Sequence, residues 1–131
     1  MNRRKLLIRL AALIIFIFLV NSLSYKFYWY QSIWWFDMFM HFLGGFWLSL
    51  YLIWFLNPKE INSKIIIRII LGVFVIGIMW EFYEFYVDDT LAKNGISSLD
   101  STSDMFFDLA GGLTAIVYFM KRFMNVSINK V

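Results

Sequence analysis

Six ionisable side chains lie within stretches of the sequence that are otherwise apolar. In a helix, residues three or four positions apart share one face, so neighbouring pairs in this set would project together. A carboxylate facing lipid costs up to several kcal/mol, so these groups are expected to face one another. Five carboxylates and one imidazole at the same height along neighbouring helices require a bound cation, bound protons or a water-filled vestibule. The set is Asp37, His41, Glu81, Glu84, Asp104 and Asp108.

Divalent-metal binding is the chemistry that this set favours. Carboxylates suit Mg²⁺, Mn²⁺ or Ca²⁺, and one imidazole also allows Zn²⁺ or Fe. We therefore predict that all six residues are metal ligands and that His41 and Glu81 are catalytic. The chain has no Cys, which excludes a thiolate site, and it has no glycine-rich phosphate loop or HExxH motif. Taken singly, Asp104 is explained as a helix cap and His41 as a hydrogen-bonded helix residue, but the whole set favours a functional site.

Composition indicates that the elements holding these residues are membrane helices. The chain has 131 residues, 61% of them hydrophobic, which is more than a soluble domain of this size could bury. Its apolar segments at 6–23, 36–56, 65–87 and 105–120 each approach the ~20 residues that cross a bilayer. The sequence predicts an all-α membrane protein with one four-helix transmembrane domain over residues 1–131. The alternative for the first segment is a signal peptide, since it follows the basic residues Arg3, Arg4 and Lys5.

The positions of Lys and Arg predict the orientation. Of the twelve, only Lys26 and Lys93 fall in the first and third connections, and ten lie at the termini or near the middle loop. The positive-inside rule therefore places both termini in the cytoplasm. The six ionisable residues then lie near the outer leaflet of a bacterial cytoplasmic (inner) membrane. A net charge of +3 with basic residues at helix ends suits membrane lipids as partners and not nucleic acid.

Two stretches indicate an internal duplication. The sequence DMFMHFLGG from Asp37 and the sequence DMFFDLAGG from Asp104 match at five of nine positions, and each follows a related helix, KLLIRL from Lys5 and KIIIRI from Lys64. Two duplicated hairpins would bring the second and fourth helices face to face. We expect close backbone contact at Gly44–Gly45 and Gly111–Gly112.

Four motifs follow one another along the chain: D-x3-H-F-x-x-G, W-E-x-x-E, D-x3-D and a pair of small residues. This order resembles that of the YjdF-type bacterial inner-membrane proteins. It is more distantly similar to the VanZ-like proteins, named after a glycopeptide-resistance factor. The chain departs from the VanZ-like pattern at Met38, often a basic residue there, and from the YjdF-type pattern at Asp108, usually a small residue. The resemblance implies a membrane protein but no assigned reaction. The residues that carry it are Asp37, His41, Gly44, Trp80, Glu81, Glu84, Asp100, Asp104 and Gly111.

The sequence leaves several functions open. One is a metal-dependent hydrolase or transferase acting on a lipid or cell-envelope substrate at the outer leaflet. Another is a non-catalytic cation- or drug-binding protein with a VanZ-like resistance role, or a proton-coupled carrier, which with four helices would need to form a homo-oligomer. The last is a purely structural polar core. Ligand-like geometry would favour the enzyme, and a polar path to the cytoplasmic side would favour the carrier. The substrate, the metal and the biological role are not fixed by the sequence.

Overall fold

A computed structural model describes residues 3–91 and 98–124, with side chains for residues 3–87 and 101–122. Over this part of the chain the elements are helical and no strand occurs, which confirms the all-α prediction. The helices are α1 (Arg3–Phe27), α2 (Trp29–Ser32), α3 (Phe36–Leu56), α4 (Ser63–Leu91) and α5 (Ser98–Phe119), followed by a π-helical turn at Met120–Met124.

The helix ends agree with hydropathy only in part. Helix α3 begins and ends where the apolar segment does, and Asn57 ends it in a left-handed conformation with its N–H donated to the Ile53 carbonyl. Pro58, the next residue, cannot continue the helix. Helix α5 begins at Ser98, seven residues before the predicted start, in a polar stretch that hydropathy does not mark. The short α2 was not predicted. It follows Tyr28, which also has a left-handed conformation.

Three helices are long and apolar enough to cross a membrane. They are α1, α3 and the part of α4 from Ser63 to Val87. Helix α5 carries Asp104 and Asp108 in its first half and is not one of them. Length and composition therefore support a membrane protein with at least these three candidate spans among the described residues.

Specific contacts give the directions of the first helices. At one end of the bundle, the Arg3 guanidinium lies 3.4 Å from the Trp54 carbonyl and 5.1 Å from the centre of its ring. Further along, the indole N–H of Trp47 donates to the Leu10 carbonyl at 2.9 Å. Sequence number rises along α1 as it falls along α3, so these two helices are antiparallel.

Helices α4 and α5 continue the alternation. Gly72 lies beside Leu52 and Glu84 beside His41, so α4 is antiparallel to α3. Asp108 lies beside His41, and Gly112 is close to Ser49, so α5 is parallel to α3. The start of α1 and the ends of α3 and α5 therefore lie at one end of the bundle.

That end is packed with apolar side chains. They come from all four long helices, and most of them are less than 5% exposed. Burial of such side chains stabilises a fold by roughly 1.5–3 kcal/mol each in water, and in lipid the gain comes from close packing. The cluster comprises Leu6, Leu10, Leu50, Ile53, Ile69, Ala115, Ile116 and Phe119.

Helices α3 and α5 share the most extensive helix–helix contact among the described elements. A Cβ atom at Gly45 would collide with the main-chain carbonyl of Asp108, and one at Gly111 would collide with that of Phe42. The predicted facing of the second and fourth helices is confirmed. Only one glycine of each pair makes this contact, since Gly44 has no atom within 4 Å of its Cβ position and Gly112 faces Val73 and Ser49. Adjacent residues point about 100° apart around a helix, so only one of the two can point directly at the backbone of the partner helix.

Candidate functional site

The buried His41 lies at the centre of a group of carboxylates, which we call the His41 cluster. Its Nδ1 atom is 3.5 Å from Asp108 Oδ1. Its Nε2 atom is 3.9 Å from Asp37 Oδ1, and it is 4.0 Å from both Glu84 Oε2 and Asp104 Oδ2. One imidazole thus faces carboxylates from α3, α4 and α5.

Helical spacing explains why each helix supplies two members. Asp37 and His41 are one turn apart on α3, and α4 and α5 present their pairs with spacings of three and four residues. Ligand atoms of Asp37, His41 and Asp104 all lie within 4.8 Å of one another. Those of His41, Glu81 and Glu84 form a second such group. The six predicted residues are therefore brought together, while their roles as metal ligands stay predictions.

The cluster has a buried side and an accessible side. The side chains of His41 and Asp104 are 6% and 5% exposed, whereas those of Asp37 and Glu84 are 36% and 40% exposed. A solute would meet Asp37 and Glu84 first and would find His41 behind them. This gradient is typical of a binding site more than of a solvated charged surface.

Two neighbours that sequence reasoning did not assign to the site support it. Gly77 makes room for Asp108, whose Oδ2 lies 2.8 Å from the position that a Cβ at Gly77 would occupy. The side chain of Trp80 lies beside the Glu84 carboxylate, one turn further along α4. The W-E-x-x-E motif contains the signal for this contact, because Trp80 and Glu84 have i, i+4 spacing.

Polar groups from α1 and α2 lie at the edge of the cluster. The Tyr30 hydroxyl donates to Asn21 Oδ1 at 2.7 Å, which ties the connection after α1 back to that helix. Burial raises the pKa of Tyr30 from 10.0 to about 12, and the nearby Asp37 carboxylate adds to the rise. Tyr30 therefore remains a neutral hydroxyl donor over the physiological range.

One carboxylate oxygen of the cluster is buried without a hydrogen-bond donor. Glu81 Oε1 has no partner among the side chains that the structure describes. A buried acceptor left unpaired costs roughly 1–3 kcal/mol, so such an atom suggests a missing partner such as a cation or water.

The side chains of Asp88, Asp89 and Asp100, the last of which belongs to the family pattern, lie outside the described residues.

Comparison with known proteins places the chain in a family. Residues 1–125 match the model of a family described as predicted membrane protein (DUF2238). The chain belongs to this family. It is the family of the YjdF-type proteins, so that resemblance is confirmed, while the VanZ-like resemblance stays a prediction.

A relative from Thermotoga maritima, named only as an uncharacterized protein, is 35% identical over 98 residues. The matched region covers 68% of this chain and 50% of the relative, so the chain spans about half the length of that relative. No solved structure matches the chain.

Proposed function

We propose that this protein is an integral protein of the bacterial cytoplasmic membrane that binds a divalent metal ion in the His41 cluster. We propose further that it hydrolyses or transfers a phosphate-ester group of a lipid or cell-envelope substrate near the outer leaflet. The observation that carries the proposal is the convergence of carboxylates from three helices on one buried imidazole.

The membrane topology proposed with it has α5 as a fourth span. Helix α5 has 22 residues, enough for a bilayer, and packs on α3 along its length. Asp104 and Asp108 of this helix face His41, which removes the main cost of placing them in lipid. The alternating helix directions put both described chain ends at one end of the bundle, and the positive-inside rule makes that end cytoplasmic.

The interatomic distances support a bound ion. Two ligand atoms that each lie about 2.1–2.4 Å from one ion are separated by roughly 3–4.8 Å. The distances of 3.9–4.0 Å from His41 Nε2 to its acids are too long for good hydrogen bonds but fall in that range. Carboxylates as close as these repel one another unless a cation or protons lie between them.

Glu81 and His41 are the proposed catalytic residues. In a hydrolysis at this site, water adds to phosphorus while the ester P–O bond breaks. The unpaired Glu81 oxygen is available to take a proton from the water. Glu81 would pass that proton on to the leaving oxygen, and His41 would help to hold an ion that offsets negative charge on the phosphate, so the overall reaction consumes one water and leaves both residues unchanged.

The alternative functions differ in what they need from the rest of the bundle. A proton-coupled carrier needs a polar path to the other side, but the buried cluster around Leu10, Ile53 and Ile116 is apolar. That packing disfavours a path through one copy, although a homo-oligomer would place another path between copies. A non-catalytic cation- or drug-binding role, as in VanZ-like resistance, uses the same cluster without chemistry.

Metal analysis of full-length protein tests the proposal. After incubation with Mn²⁺ and buffer exchange in detergent, the wild-type protein should retain about one Mn²⁺ ion per chain. Inductively coupled plasma mass spectrometry measures this metal content. The variants His41→Ala and Asp108→Asn should lose at least 90% of it. Glu60→Gln, which removes an exposed acid of the middle loop, is the matched control and should retain it. Equal Mn²⁺ content in wild type and His41→Ala, or none in wild type, would overturn the metal proposal.

A further inference from the structure

A cavity of about 450 Å³ lies between α1 and α4, with α3 as its floor. Helices α1 and α4 each pack on α3, but in the described part of the chain no Cα atom of one lies within 8 Å of a Cα atom of the other. The gap between them is therefore a cleft along one side of the bundle. Its walls include exposed apolar side chains such as Ile14, Phe18 and Ile76, which in a bilayer would face lipid.

The two ends of the cleft differ in chemistry. One end is lined by Asp37, His41 and Glu84, so it is continuous with the His41 cluster. Towards the other end the lining is apolar and includes Leu48 and Val73. There the indole of Trp47 is hydrogen-bonded to the Leu10 carbonyl, which joins α1 to α3 beneath the cleft.

Gly44 keeps the floor of the cleft open. A Cβ atom at this position would have no heavy atom within 4 Å, whereas the adjacent Gly45 is in backbone contact with α5. Gly44 lies on α3 one turn below His41, where an occupant of the polar end would continue into the apolar part. A larger side chain there would fill the cleft without replacing any member of the His41 cluster.

We propose that this cleft holds a hydrocarbon chain of a membrane lipid whose head is a phosphate with net negative charge, with that phosphate at the His41 cluster. The inference rests on the proposed metal site, because an anionic head needs a cation among five carboxylates. A cleft that opens sideways into a bilayer is in contact with hydrocarbon chains and not with bulk water. Its polar end would bind the head group of the lipid. The structure thus assigns the substrate class as amphiphiles that enter laterally between α1 and α4.

The depth of the cleft limits the length of chain that it covers. From Asp37 to Trp47 there are ten residues along α3, or about 15 Å of helix. A longer chain would leave the cleft sideways into the bilayer beside Ile14 and Ile76, which are both exposed. The cleft therefore contacts the part of the chain nearest the head.

Photo-crosslinking in nanodiscs tests this assignment. Full-length protein loaded with Mn²⁺ is placed in phosphatidylcholine nanodiscs with a small fraction of phosphatidic acid that carries a diazirine near the head end of one acyl chain. Crosslinked peptides should map to the α1 and α4 walls at Ile14, Ile17 and Ile76. The same diazirine chain on phosphatidylcholine, in a parallel sample, should crosslink there at least five-fold less.

Substitutions separate the cleft from the metal site. Gly44→Leu and, from the α4 wall, Ile76→Trp should each lower cleft crosslinking at least five-fold with unchanged Mn²⁺ content. Leu113→Phe adds comparable bulk on an exposed α5 position outside the cleft lining and should change neither quantity. The two variants that fill the cleft lie on different helices, so the test still stands if one of them misfolds.

Each result distinguishes the two proposals. Wild-type protein that holds Mn²⁺ but gives no crosslinks at the cleft would overturn the cleft assignment and leave the metal site standing. Cleft crosslinks that favour phosphatidic acid in protein without Mn²⁺ would overturn the metal proposal and support the cleft. Undiminished crosslinking in both Gly44→Leu and Ile76→Trp, or equal crosslinking by the two lipids, would also overturn the assignment.

Discussion

His41 is the residue on which the three helices converge, because its two ring nitrogens face different partners. Nδ1 faces Asp108 on α5, and Nε2 faces Asp37, Glu84 and Asp104. A proton on the ring would offset one of the five carboxylate charges of the cluster. A divalent ion would offset two, so metal binding relieves more of the repulsion. The charge of the cluster thus favours binding of a cation regardless of the reaction.

This charge balance predicts that one substitution lowers stability in the presence of metal but not in its absence. In EDTA, Asp108→Asn removes a carboxylate from a crowded site, and the unfolding temperature should rise or stay unchanged. In saturating Mn²⁺ the same variant should be less stable than wild type, with about 1.4 kcal/mol lost for each tenfold loss of affinity. Thermal unfolding of both proteins in detergent, with Glu60→Gln as the control, measures the difference.

A result of the same sign in both conditions would contradict this prediction. Destabilisation in EDTA as well as in Mn²⁺ would mean that Asp108 acts mainly through its contact with His41. The cluster would then be a structural ion-pair network, which is the simplest of the alternatives that the sequence allowed.

At the scale of helices, the α3–α5 crossing determines how close the acids of these helices come to His41. Gly45 and Gly111 let the two backbones touch at the carbonyls of Asp108 and Phe42. Backbone atoms cannot move aside as the end of a side chain can, so an added methyl group would push the helices apart. Separation of α3 from α5 would also draw Asp108 away from His41.

We therefore predict that Gly45→Ala and Gly111→Ala each destabilise the protein by about 1–3 kcal/mol or more. Gly44→Ala is the matched control, because its Cβ would enter open space. Alanine is favoured over glycine in a helix by about 1 kcal/mol, so this control should be neutral or stabilising. Unfolding in SDS or by heat should rank the three variants. Equal loss of stability in all three would contradict the crossing geometry.

The sequence predicted the helices and the level of the acids but not the rotation of each helix. Hydropathy located α3 correctly because its ends coincide with the apolar segment, yet it missed the start of α5 because polar residues such as Ser98 also form helix. The repeat predicted which helices would face each other. It could not tell Gly45 from Gly44, since that choice depends on a rotation of about 100° that is fixed only by packing.

The same reasoning separates the predictable part of the site from the rest. Spacing placed each pair of ionisable residues on one helix face, and the predicted helix ends placed the three pairs at one depth in the membrane. The role of Gly77 depends on where the Asp108 side chain meets α4, which is a tertiary contact. The cleft beside Gly44 depends on α1 and α4 staying apart, and no local pattern carries that information.

The whole molecule is polarised from one end to the other. The His41 cluster lies at the end that includes α2 and the exposed aromatic residues Tyr28, Trp34 and Trp35. The other end holds the apolar cluster and is bordered by basic residues such as Arg3 and Lys59. Aromatic side chains favour the membrane interface, and Lys and Arg favour the cytoplasmic side. These two preferences support the proposed orientation, in which the His41 cluster and the cleft lie toward the outer leaflet.

Single cysteines test that orientation directly, because the chain contains no Cys of its own. Gln31→Cys, in α2, should react with a membrane-impermeant maleimide in intact cells. Lys59→Cys and Lys121→Cys, near the opposite end of the bundle, should react only after the membrane is permeabilised. All three positions are exposed, so a lack of labelling would reflect the side of the membrane and not burial. The unsubstituted protein gives the background. Labelling of Lys59→Cys in intact cells would contradict the proposed orientation. The protein would then have the reverse orientation, with the His41 cluster at the cytoplasmic leaflet.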